Sequence, residues 1–216
     1  MEKKYKLTEE TLEIDGHVLN RIIALRDFGE VKKGDIGGWI EGQENLSHYD
    51  DCWVCGEAEV YGNAIVCGDA KVYGNAEVYG DATVYGNAEV YGNAIVYGDA
   101  TVYGNAEVYG DATVCGNAEV YGNAIVCGDA KVCGEAMVYG EAKVCGNAKV
   151  EKKSDYIVFK NWWSSGRYFT WTRSNDMWSV GCFYGTGEEL IKKAYKDSEE
   201  KGREYARIVK YVKSIK

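Results

Sequence analysis

The chain has 216 residues, enough for one large domain or two small ones, and at 46% hydrophobic and 27% charged it has the composition of a folded protein. No long apolar run occurs and the charged opening Met1–Lys6 leads into none, so neither a helical membrane span nor a secretory leader is expected and the cytoplasm is the expected location. The net charge of −9 is unevenly divided: residues 1–150 carry 11 Lys and Arg against 25 Asp and Glu, whereas residues 151–216 carry 14 against 9. An acidic body with a basic tail points to different partners for the two parts.

Residues 1–51 read as a β cap. Lys6–Ile14 and His17–Phe28 alternate as strands do, around an Asp15-Gly16 turn. A glycine-rich stretch, Gly34-Asp-Ile-Gly-Gly-Trp39, follows and leads to Trp53. It lacks the Gly-Lys-Ser/Thr ending of a phosphate loop and opens no helix, so no phosphate site is assigned to it. Cys52 and Cys55 have the spacing of a metal-binding pair, with His48 nearby, but no fourth ligand is evident. No metal and no other cofactor is expected.

From residue 52 to residue 151 the chain is periodic. Valine recurs at every sixth position from Val54 to Val150, glycine two places after it and alanine four places after it. The unit reads Val-Tyr/Cys-Gly-Asn/Asp/Glu-Ala-X. A β-branched residue suits a short strand with one buried face. Glycine followed by Asn or Asp suits a corner, since these residues tolerate left-handed backbone angles. One such unit cannot bury its own valine, but stacked units can, by forming a continuous apolar column. A longer period overlies the first: Glu59–Ala88 and Glu89–Ala118 differ only at Cys67/Tyr97, Lys71/Thr101 and Tyr85/Cys115. A block of five hexads has been copied in tandem.

The unit, with an aliphatic residue followed four places later by a small one, resembles that of hexapeptide-repeat left-handed β-helix proteins. Arg26-Asp-Phe28, Gly37-Gly-Trp39 and Asp51-Cys-Trp53, in that order ahead of the repeat, narrow the resemblance to bacterial proteins of the YdcK type, over residues 4–150. In such a fold three hexads make one triangular coil. The resemblance therefore implies a mainly β architecture with a left-handed parallel β-helix of about five coils, roughly 25 Å tall at about 4.8 Å per rung. Hexapeptide β-helices are often trimers, so a homo-oligomer, with a trimer favoured, is the expected state. Three tyrosine columns should stack on the outside: Tyr61, Tyr79 and Tyr97; Tyr73, Tyr91 and Tyr109; and Tyr85, Tyr103, Tyr121 and Tyr139. Cys115 with Cys133, and Cys127 with Cys145, stack likewise, and are read as replacements of tyrosine rather than as disulfides.

Residues 152–216 read as a small α+β domain of three strands (156–161, 167–173 and 177–184) and two helices. The capping box Thr186-Gly-Glu-Glu189 opens the first helix, and the second runs over 198–215 with Tyr205, Ile208, Val209 and Val212 on one face. Aromatic and basic residues are interleaved here. Trp162, Trp163, Arg167, Tyr168, Trp171, Arg173 and Trp178 form the candidate partner-binding set, because rings beside guanidinium groups stack nucleotides or anchor a protein.

Acyl transfer on a hexapeptide helix needs a general base, usually histidine, at a coil corner. The repeat contains no histidine; His17 and His48 both precede it, and no catalytic residue is assigned. The expected function is a non-catalytic scaffold whose acidic solenoid presents the basic aromatic domain to a protein or nucleotide-like partner. The alternative is an acidic nucleic-acid mimic that inhibits a basic DNA- or RNA-binding protein.

Overall fold

A computed structural model describes residues 3–215. Strands β1 (Tyr5–Ile14) and β2 (His17–Ala24) form an antiparallel hairpin whose turn residues Asp15 and Gly16 both have positive φ, at 47° and 85°. β3 (Ile36–Ile40) pairs antiparallel with β2 on one edge and parallel with the solenoid on the other. Seventeen short rungs follow, β4 (Trp53–Val54) to β20 (Lys149–Val150). They sort into three parallel walls, β5-β8-β11-β14-β17-β20, β4-β7-β10-β13-β16-β19 and β6-β9-β12-β15-β18. Each valine stands over the one a full coil later, as Val72, Val90 and Val108 do. Every valine and alanine of the repeat is fully buried. The chain is therefore a β-solenoid with a continuous Val/Ala core.

The corners explain the glycine column. Gly92 has φ +76°, and a Cβ added there would lie 3.0 Å from the backbone of Gly110 in the next coil. Any larger residue would be strained and would push the coils apart. Outside each corner the asparagines form their own ladder, with Asn75 Nδ2 donating to Asn93 Oδ1 at 3.2 Å and Asn93 Nδ2 to Asp111 Oδ1 at 2.9 Å.

The parallel ladder starts upstream of the hexads and gives about six turns. Ile40 pairs with Val60 and Leu46 bridges Val66, offsets of twenty residues where later coils use eighteen. The first coil thus holds two extra residues, in the segment 47–53. Gly37 and Gly38 let β3 close over the top: a Cβ at Gly37 would sit 2.4 Å from Ile22 and 2.7 Å from Trp53.

All three tyrosine columns form as expected, with successive ring centroids 4.8–5.3 Å apart and nearly parallel. The cysteine expectation is corrected. Cys115–Cys133 and Cys127–Cys145 are disulfides. In-register stacking brings each pair of Cα atoms to 4.6 Å, inside the range a disulfide requires.

The C-terminal domain has four strands in place of the expected three: β21 (Tyr156–Lys160), β22 (Tyr168–Thr172), β23 (Met177–Val180) and β24 (Phe183–Thr186) form an antiparallel sheet. The expected third strand breaks at Gly181, whose φ of +57° folds it into a hairpin. Helix α1 (Gly187–Asp197) starts at the Thr186 capping box, and α2 (Glu199–Ile215) buries Tyr205, Val209 and Val212. No described helix is long and apolar enough to cross a membrane.

Replacing Val96, which lies mid-column with paired rungs above and below, by lysine removes about 1.5–3 kcal/mol of apolar burial and adds an unpaired buried charge at further cost. The Val96→Lys chain should lose its cooperative thermal transition in circular dichroism; a folded variant with the parent midpoint would refute the inward column.

Candidate binding surfaces at the ends of the solenoid

A solenoid exposes unpaired backbone at both ends, and those edges must be covered. At the first end the two extra residues of the opening coil leave carbonyls turned inward. Lys4 answers them. It is fully buried, and its Nζ donates to the carbonyls of Cys52 at 2.8 Å, Tyr49 at 3.2 Å and Asp50 at 3.3 Å, with Cys52 Sγ also at 3.2 Å. Burial holds its pKa below the usual lysine value, against the neighbouring Cys52. Tyr5 stacks on His48 at 4.3 Å and donates to Leu46 O at 2.7 Å. The two histidines are thus engaged in the cap: His48 Nδ1 accepts from Lys4 N, and His17 Nδ1 lies 3.0 Å from both oxygens of Glu41.

Beside this cap lies a groove of about 680 Å³ between the loop after β2 and one solenoid wall. Trp53, Ile36 and Val31 form its apolar part, and Asp35, Asp51, Asp69 and Glu89 its acidic rim. Lys71 is tied to Glu30 at 3.0 Å, which raises the lysine and lowers the carboxylate. Burial pushes the Cys55 thiol up, which disfavours the thiolate a nucleophile needs. Sequence reading missed this groove, because it arises where a loop meets a wall distant in the chain. The one available signal was Gly37-Gly38, which marks a close backbone approach.

At the second end hydroxyl groups close the last coil. Thr170 Oγ1 accepts from Lys143 N at 2.9 Å and Ser174 Oγ from Lys149 N at 2.7 Å. Tyr156 and Tyr184 donate to Met137 O and Cys145 O. β21 to β24 are thereby fixed under the solenoid.

This placement divides the candidate partner-binding set. Trp171 and Trp178 are 1% and 2% exposed and belong to the domain core, with Phe169 edge-on to Trp178 and Trp171 Nε1 donating to Asp176. Trp162 and Trp163 are 71% and 80% exposed on the loop after β21. Lys160 sits over Trp162 at 4.0 Å and over Tyr168 at 4.8 Å, so these three form one surface. Arg167 is exposed on the same loop, whereas Arg173 is exposed at the far end of β22 and does not join them. The core pair and the surface pair are alike in composition. What separates them is strand membership: the buried tryptophans lie in β22 and β23, and the exposed ones lie between strands.

A family model described as the YdcK beta solenoid repeat matches residues 88–104. The protein named "Uncharacterized acetyltransferase YdcK" of Escherichia coli (strain K12) is 35% identical over 72 residues, a match covering 29% of this chain and 22% of that protein. The solenoid is similar to the YdcK type over these stretches, and the match reaches less than a quarter of that relative's length.

Replacing Lys4 by methionine keeps the stem but strands its carbonyl acceptors. The Lys4→Met chain should lose about 1–3 kcal/mol of stability, seen as a lower denaturation midpoint with an unchanged far-ultraviolet spectrum; a rise in the midpoint would show that the ammonium is not needed there.

Proposed function

We propose that this protein is a non-catalytic scaffold, whose solenoid holds the C-terminal domain's Lys160–Trp162–Trp163–Tyr168 surface out to a partner. The observation that carries this reading is the exposure of two adjacent tryptophans. Large rings cost apolar hydration when left in water, and they are the residues that most often anchor interfaces. A rigid sheet, fastened to the last coil by Thr170, Ser174 and Tyr184, supports them. Self-association through the tyrosine walls belongs to the same reading.

The name of the E. coli relative raises acyl transfer. Against it stand the absence of histidine from the repeat, the engagement of His17 and His48 in the cap, and the raised Cys55 thiol. An acidic mimic of nucleic acid draws on the wall carboxylates, but many of these are engaged within the solenoid: Tyr73 donates to Glu89, and Tyr91 to Glu107.

The test compares the tagged chain with a Trp162→Ser/Trp163→Ser variant of equal thermal stability, captured side by side from its source cells. The reading expects a stoichiometric partner with the parent chain and loss of that partner with the variant. Equal recovery by both, or recovery by neither, would overturn it, as would release of coenzyme A when the parent chain is mixed with acetyl-coenzyme A and an amine. Light scattering supplies the separate check on self-association, where a mass equal to one chain at micromolar concentration would exclude it.

A further inference from the structure

Three tyrosine ladders run along the solenoid, and two of them end in sulfur. Tyr61, Tyr79 and Tyr97 are followed on their wall by Cys115–Cys133, and Tyr73, Tyr91 and Tyr109 by Cys127–Cys145. The third ladder ends differently. Tyr139 is its last rung, stacked on Tyr121 at 5.3 Å and 47% exposed. Tyr139 has no further tyrosine stacked beyond it, and it lines a cavity of about 380 Å³ together with Glu141, Lys153, Tyr156, Val158 and Tyr168. Lys160 is not part of this lining; its ammonium lies over the Tyr168 ring at 4.8 Å.

We propose that this cavity binds a planar aromatic ligand carrying an anionic group, a mononucleotide being the simplest member. The aromatic ring would add the next rung beneath Tyr139. Its phosphate would pair with Lys153, the cation that lines the cavity. A tyrosine ring with one face open is a stacking platform for any base, and the volume falls within the range of small-ligand pockets. Tyr156 and Val158 supply the apolar side. Charge sets the ligand's direction. Glu141, held by Asn123 Nδ2 at 2.8 Å, places a carboxylate on the solenoid side and repels the phosphate toward Lys153. That carboxylate is also an acceptor for an exocyclic amine. The other two ladders offer no such place, because a disulfide occupies the position below their last tyrosine.

The proposal rests on reading the C-terminal domain as a binding module and names a ligand class for it. The cavity shares Tyr168 with the partner surface, but Tyr139 and Lys153 lie outside that surface, so variants at these two positions and at Trp162–Trp163 let either idea fail alone. The experiment is calorimetric titration of the full chain with AMP and, separately, with UMP, adenosine and ribose 5-phosphate. Saturable binding of at least one nucleotide is expected, weaker binding of adenosine, and none of ribose 5-phosphate. Tyr139→Ala should weaken nucleotide binding roughly tenfold or more, as removal of a stacking ring does, and Tyr139→Phe should retain it with an unchanged fold. Lys153→Ala should weaken it severalfold and reduce its salt dependence, while Trp162→Ser/Trp163→Ser leaves Tyr139 stacking in place. Absence of heat with both nucleotides at millimolar concentration would overturn the proposal. So would unaltered affinity in Tyr139→Ala, or ribose 5-phosphate binding as well as AMP.

Discussion

Every coil of this protein is tied to the next by backbone hydrogen bonds that run along the solenoid axis, such as Glu89 N to Ala106 O at 2.9 Å and Asn93 N to Gly110 O at 2.8 Å. Those bonds form only if each coil repeats the backbone of the one before it, corner for corner. Glycine at the left-handed corner, valine on the inner strand face and alanine where walls converge all follow from that demand. The tyrosine and asparagine ladders follow as well. Parallel in-register stacking puts like side chains over like, so a residue type tolerated once on the outside is held against its own copy. Where the copy is cysteine, the same proximity produces a disulfide.

The ends are where repetition stops and specific chemistry begins. The first coil carries two additional residues, and the carbonyls they misdirect are gathered by the Lys4 ammonium. The last coil has no following strand, and the domain supplies hydroxyls to its open donors and acceptors. The cavities that open beside the two caps owe their shape to the meeting of irregular chain with a regular wall. Irregular side chains there, including Trp53, Lys153 and Tyr168, are free of the stacking rule that governs the body.

The repeat was legible because its physics is local and periodic. Val54 to Val150 announce the core, and the tyrosine columns follow from stacking three hexads per coil. Ile40 and Leu46 were not legible as coil positions, because two inserted residues shift them out of the six-residue phase. The hairpin turn at Gly181 was hidden by apolar residues on both sides that read as one strand. Cysteine pairing depended on which residues stack and also on whether the thiols are oxidised, and the chain reports only the first. Among the tryptophans, composition alone could not tell Trp171 from Trp163. Trp171 lies in β22 and its ring joins the domain core, whereas Trp163 lies on the loop between β21 and β22 and faces water.

Because three hexads complete one coil, the number of hexads sets an angle as well as a length. Removing one hexad would shorten the solenoid by a third of a coil and swing the C-terminal domain a third of a turn about the axis relative to the N-terminal hairpin. Removing three would bring the ends closer and leave their relative azimuth unchanged. The copied block of five hexads is one coil and two walls, so each copying event turned the two caps relative to one another. Gain or loss of repeats therefore always changes distance and, unless whole coils are involved, bearing as well, so two chains of this design with intact ends could point those ends in different directions.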